Sequence, residues 1–163
     1  MKHLLLLRHA KSSWDDARLA DHDRPLNKRG QEDAPRMGRF LAQQGIIPDY
    51  IISSTAKRAW RTATAVADQI GYDPERIALD PSFYEAEPEA YLERPQLVSE
   101  QYQMVMLVGH NPGLSDLLAE LTGRYENLTT ANIAYLRLPI QHWADVDEAL
   151  RGQLVQIWRP REL

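Results

Sequence analysis

The 163-residue sequence contains no cysteine. Disulfides, thiolate metal sites and cysteine nucleophiles are therefore excluded together. Long apolar runs are missing too. The N-terminus reads Met1-Lys2-His3 followed by Leu4 to Leu7 and Arg8, short of the ~7–15 apolar residues of a secretory core. No stretch approaches the ~18 apolar residues of a membrane span. The expectation is a soluble, cytoplasmic protein with no membrane partner. The chain carries a net charge of −4 and no basic block, so nucleic acid is not an expected partner. Repeats, low-complexity tracts and interdomain linkers are absent as well. Residues 1–163 are thus expected to form a single domain, long enough to bury roughly 70% of its unfolded surface.

What is present alternates between two periods. Leu4 to Leu7 is a short continuous apolar run, the pattern of a strand covered on both faces. Residues 10–26 are polar and read as a long loop. A helix is expected from about Asn27 to Gln44, closed by Gly45. Pro35 either places the true start near Asp33 or kinks the helix. Tyr50 to Ile52 reads as a second strand ending in Ser53-Ser54. Ala59, Thr62, Ala63, Val66, Ala67 and Ile70 recur at helical spacing before Gly71. Further strands are expected at Ile77–Leu79, Met104–Val108, Ile133–Leu138 and Leu154–Trp158. Helices are expected at Glu89–Val98 after Pro88, and at Leu114–Leu121 before Gly123. Trp143–Leu150 reads as a short helix or turn. This alternation implies an α/β fold, a three-layer sandwich with a mostly parallel central sheet and helices on both faces.

Ligands of such sheets bind at the carboxyl ends of the strands. Three polar pairs fall there: Arg8-His9, Ser53-Ser54 and Gly109-His110. A fourth residue, Arg58, falls in the first turn of the helix after the second strand, where free backbone N–H groups favour an anion. Each alone has an ordinary reading as a strand end, a surface arginine or a turn histidine. Several arginines beside such positions in an acidic chain suit an anionic substrate.

Together these segments resemble the histidine phosphatase superfamily, also called the phosphoglycerate-mutase-like or branch-1 family. The resemblance rests on Arg8-His9 closing the first strand, the segment Ser54-Thr55-Ala56-Lys57-Arg58-Ala59-Trp60-Arg61-Thr62-Ala63, and Gly109-His110 after a late strand. It also rests on Asp23-Arg24-Pro25-Leu26-Asn27-Lys28-Arg29-Gly30, which looks like the family's Pro-Leu-Thr-x-x-Gly segment opening the first helix. Arg8-His9-Ala10-Lys11-Ser12 and His110-Asn111-Pro112-Gly113-Leu114 are most similar to the SixA-like phosphohistidine phosphatases. The matches span residues 4–115, about two thirds of the chain.

The resemblance implies a phosphatase without metal or other cofactor. His9 would attack as a neutral imidazole, giving a phosphohistidine that water cleaves. Arg8 and Arg58 would offer forked donors to the phosphate oxygens, and His110 would add another as imidazolium. Ser54, Asn111 and Lys11 are secondary substrate-binding candidates. Lys11 either extends the phosphate site or faces solvent, and Arg61 suits a salt bridge better than a phosphate. The position of the general acid is weak. Glu85 is the candidate, with Glu87 and Glu89 nearby, although such clusters are usually solvated faces. A weak acid leans toward a good leaving group, hence toward phosphohistidine. The expected partner is a phosphorylated protein or a small phosphorylated molecule. Rival readings are a general phosphomonoesterase, a mutase and a non-catalytic phosphate-binding protein. His3, His9, His22, His110 and His142 match no chelating spacing.

Overall fold

The computed structural model describes all residues, 1–163. In chain order its elements are β1 (Lys2–Arg8), α1 (Lys28–Gln44), β2 (Tyr50–Ser54), α2 (Lys57–Ile70) and β3 (Ala78–Asp80). Then follow α3 (Pro88–Glu93), β4 (Met104–Gly109), α4 (Gly113–Thr122), β5 (Ile133–Leu138) and β6 (Gln153–Trp158). All six strands join one sheet in the order β3-β2-β4-β1-β5-β6. The pairs β3-β2, β2-β4 and β4-β1 are parallel, whereas β1-β5 and β5-β6 are antiparallel.

The leucine run of β1 shows why three layers form. Leu4 and Leu6 pack with the buried side chains of α3 and α4, such as Leu92, Leu114 and Leu118. Leu5 and Leu7 point the other way, into a core with Met37 and Leu41 of α1 and Ala63 and Val66 of α2. Alternation along the strand thus feeds two cores, and each leucine stabilises by roughly 1.5–3 kcal/mol through burial.

Helix α1 starts at Lys28 because Asn27 caps it, its side-chain oxygen accepting from the Gly30 N–H at 2.9 Å. Pro35 therefore lies inside a continuous helix, and the start near Asp33 is not adopted. Half-buried at the surface, Pro35 forgoes only the bond its amide would have made to the Gln31 carbonyl. Helix α3 is shorter than the expected 89–98. It ends at Glu93 and tightens into a 3₁₀ turn over Arg94–Leu97, since Pro95 has no amide hydrogen to extend the ladder. The 140s contain only a 3₁₀ turn, Trp143–Asp145.

The parallel register sets the site. Arg8 lies opposite Gly109 where β1 and β4 end, so His9 and His110 leave the sheet side by side. Strand β2 ends at Ser54 on the other side of β4.

Candidate active site

His9 and His110 are both buried, with ring centroids 5.1 Å apart. The backbone beside His9 is fixed on three sides. Its N–H donates to the Gly109 carbonyl at 3.0 Å, and the Ala131 N–H bonds the carbonyls of Arg8 and His9 at 3.0 and 3.1 Å. The Ala10 N–H donates to Thr62 Oγ1 at 2.9 Å, and that hydroxyl donates to the Arg58 carbonyl at 2.7 Å. Thr62 thus ties the turn carrying His9 to the helix carrying Arg58. Gly30 lets α1 approach the same turn, because a Cβ there would run into the Lys11 carbonyl.

The tautomer of His9 follows from one contact. Its Nδ1 lies 2.7 Å from the Ala10 carbonyl oxygen. A carbonyl only accepts, so Nδ1 carries the proton and Nε2 keeps its lone pair. Burial first, together with the charges of Arg58 and Arg8, pushes His9 down to about 3. The ring is neutral at physiological pH.

His110 differs from expectation. Burial and then Arg58 push it down to about 4, so it stands in the site as a neutral imidazole rather than an imidazolium. Its Nε2 lies 2.8 Å from Ser54 Oγ, which already accepts from the Ala56 N–H at 3.1 Å. Nε2 is the only acceptor paired with the fully buried Ser54 hydroxyl, so that hydroxyl donates to it and the ring proton sits on Nδ1. Gly109 is needed just before, because a Cβ would strike the Tyr91 hydroxyl, to which the His110 N–H donates at 3.1 Å.

Three buried side-chain polar atoms in the chain lack a hydrogen-bond partner: Arg8 Nε, Arg58 Nε and His110 Nδ1. Such groups are uncommon and each costs ~1–3 kcal/mol, and all three belong to residues that line one cleft. Arg8 is otherwise held by a bond from Nη1 to the Leu128 carbonyl at 3.0 Å, and burial and then Arg58 lower its pKa.

A cleft of about 280 Å³ opens over these groups. Arg8, Lys11, Arg24 and Arg58 line it against two carboxylates, Asp21 and Glu85, so the field inside is positive. A larger hollow of about 660 Å³ lies beside α3, but Glu89, Glu93, Asp147 and Glu148 line it with no cation, the wrong sign for a phosphate. No three histidine and carboxylate side chains are grouped as metal ligands.

The secondary candidates divide. Lys11 is exposed and Glu85 stands at the rim, both lining the cleft. Ser54 lies fully buried behind His110 and does not line it. Asn111 lines the cleft, but its side chain holds loops together, donating to the Leu128 carbonyl at 2.6 Å and accepting from Ser115 Oγ at 2.8 Å. Arg61 forms no salt bridge and lies over the Trp60 ring, 4.5 Å from its centroid. Glu89 belongs to the acidic hollow.

Six lining residues were not among the candidate site residues: Ser12, Trp14, Asp21, Arg24, Tyr84 and Thr130. Asp21 is the hub. It accepts from Arg58 through its backbone carbonyl at 2.7 Å and through Oδ2 at 3.0 Å. The Tyr84 hydroxyl donates to Oδ2 at 2.6 Å and Arg24 Nε to Oδ1 at 3.0 Å. The Tyr84 bond first, then Arg58 and Arg24, hold the Asp21 carboxyl down to about 2. The available signal was the i, i+3 pair Asp21 and Arg24 ahead of the Pro25-Leu26 segment.

The comparisons agree with this geometry. Residues 4–104 match the model of the histidine phosphatase superfamily (branch 1). The chain belongs to that superfamily and is a phosphoric-ester hydrolase of it. It is 36% identical over 152 residues to an uncharacterised chloroplastic protein of Arabidopsis thaliana, covering 88% of this chain and 70% of that one. It is 42% identical over 73 residues to a 2,3-bisphosphoglycerate-dependent phosphoglycerate mutase of Thermobifida fusca, spanning only 30% of the mutase. Among solved structures, a candidate phosphohistidine phosphatase SixA of Agrobacterium tumefaciens superposes with a TM-score of 0.80 at 31% identity, over 98% of both chains. A protein histidine phosphatase SixA complexed with tungstate shares the fold, with a TM-score of 0.83 at 24% identity over 98% of both chains. No helix is long and apolar enough to cross a membrane.

Proposed function

We propose that the chain is a metal-independent phosphatase whose nucleophile is His9 and whose preferred substrate is phosphohistidine on a protein. The observation that carries the reading is the Nδ1 bond of His9 to Ala10, which leaves an unprotonated Nε2 among Arg8, Arg58 and His110. In the first step Nε2 bonds to phosphorus as the bond to the leaving group breaks, and the leaving atom takes up a proton from solvent. Water then attacks phosphorus and gives up a proton to solvent, the Nε2–P bond breaks with its electron pair returning to Nε2, and inorganic phosphate leaves. Arg8, Arg58 and His110 Nδ1–H donate to the phosphoryl oxygens, where transition-state charge is spread. Two fixed guanidinium groups supply the neutralisation a metal would otherwise provide.

The substrate follows from the proton donors. Asp21, held down to about 2, is ionised and unable to act as an acid at neutral pH. Glu85 is exposed at the rim. A phosphoryl group on imidazole, a good leaving group once protonated, asks least of such a site. The likeness to the Agrobacterium candidate phosphohistidine phosphatase supports the same choice. The expected result is a higher kcat/KM for phosphohistidine protein than for p-nitrophenyl phosphate or phosphoglycerates, unchanged by a chelator. Loss of activity with chelator would end the metal-independent reading.

One observation favours a second reading, a general phosphomonoesterase: Glu85 lines the cleft with a left-handed backbone, φ 54°. If the monoester is the better substrate and Glu85→Gln slows it by ~100-fold or more, the size of lost acid catalysis, Glu85 is the proton donor and the phosphohistidine preference is wrong.

A further inference from the structure

Trp14 lines the cleft that holds His9, yet it is 72% exposed. Its ring is nevertheless anchored, with the Arg24 guanidinium carbon 3.4 Å from the ring centroid. Arg24 is itself buried, its Nε donating to Asp21 Oδ1 at 3.0 Å and its Nη1 to the Ser13 carbonyl at 3.3 Å. The Ser13 N–H donates in turn to the Pro25 carbonyl at 2.8 Å. A continuous line of contacts therefore runs from Arg58 on the cleft floor through Asp21 and Arg24 to the indole at the mouth. The guanidinium covers one indole face, and the exposure leaves the other open. Indole rings placed this way offer a rigid stacking surface at small cost in conformational freedom.

We infer that the open face of Trp14, held in place by Arg24, binds the leaving group, a planar ring carried next to the phosphorus. The imidazole of a phosphohistidine residue is such a ring, and in naming it the inference rests on the reading above. The stacking surface itself asks only for planarity. It assigns Trp14 a part in specificity: the floor recognises the phosphoryl group and the rim recognises what carries it.

The test is a ratio. For the wild type, kcat/KM is measured on two ring-bearing substrates, a phosphohistidine peptide and p-nitrophenyl phosphate, and on two ringless ones, phosphoramidate and glycerol phosphate. Trp14→Ala and Trp14→Leu should each lower the ring-to-ringless ratio about tenfold, the size of one aromatic stacking contact. The loss should appear in KM, as expected for binding equal in ground and transition states. Trp14→Phe should restore most of it. A ratio taken on one preparation cancels the folded fraction, so an unstable variant still answers. Equal loss on both classes would make Trp14 a structural prop for Arg24 and overturn the inference, as would an unchanged ratio. A wild type inactive on phosphohistidine would end the substrate reading alone, with p-nitrophenyl phosphate against glycerol phosphate still deciding the role of Trp14.

Discussion

The floor of the cleft and its rim are built by different means. The floor is delivered by strand ends: β1 and β4 run parallel, so His9 and His110 emerge together, with Ser54 beneath from β2. The rim comes from two loop segments, 11–24 and 84–85, which meet where Tyr84 contacts Asp21 and His22. Floor residues are buried or half-buried and leave Arg8 Nε, Arg58 Nε and His110 Nδ1 unpartnered, whereas the rim includes Trp14, Lys11 and Glu85 in contact with solvent. On the proposed function, the floor acts on the phosphoryl group common to all substrates and the rim meets what differs between them. Substitutions in the floor should lower every activity, and substitutions in the rim should separate one substrate from another.

The largest expected effect is on the floor. His9→Ala should reduce turnover by about 10⁴-fold or more, the order seen when a covalent nucleophile is removed. The fold should persist, because the bonds anchoring this turn are backbone bonds from His9 to Gly109 and from Ala131 to Arg8 and His9. Rapid quench of the wild type should trap an acid-labile, base-stable phosphoenzyme that the variant lacks. Near-normal phosphate release by His9→Ala would place the nucleophile elsewhere.

Arg58 is where floor and rim join, since it lines the cleft with His9 while Asp21 accepts from both of its Nη groups. Arg58→Ala should cost about 10²–10³-fold in kcat, the order for one lost charge-stabilising donor. The loss should be similar on phosphohistidine and on p-nitrophenyl phosphate. A loss confined to one of them would erase the division between floor and rim.

That same division marks what was legible in the sequence. Apolar runs and glycine-closed helices located β1, β2, β4, β5, α1, α2 and α4 to within a residue or two, because local pattern decides them. The strand-end rule then grouped Arg8, His9, Arg58 and His110 at one end of the sheet. The rim was legible only at Lys11 and Glu85. Asp21 and Arg58 are 37 positions apart and Asp21 and Tyr84 are 63 apart, with no shared period to link them. The polar loop 10–26 therefore looked featureless although it contributes Trp14, Asp21 and Arg24. The charge of His110 was misjudged for a related reason. Its two arginine neighbours and its burial both disfavour the imidazolium, and burial is visible only once the chain is folded.

The smallest expected effect separates strain from support at the rim. Only two non-glycine residues have positive φ, Glu85 at 54° and Ala131 at 61°, and both flank the cleft. Left-handed backbone costs a residue with a Cβ roughly 1–2 kcal/mol. For Ala131 the conformation is tied to the floor, since its N–H bonds the carbonyls of Arg8 and His9. Glu85 is exposed, and among the backbone hydrogen bonds outside regular elements neither its N–H nor its carbonyl takes part. Glu85→Gly should therefore relieve the strain directly. Glycine also widens the unfolded ensemble by about 0.4–1 kcal/mol, which offsets part of the gain. The net expectation is a stabilisation of about 0.5–1 kcal/mol, a rise in Tm of about 1–4 °C for a chain of this length. A thermal scan of the two proteins side by side decides it. An unchanged or lower Tm would mean that Glu85 is held at positive φ by interactions of its own side chain, making the rim as firmly built as the floor.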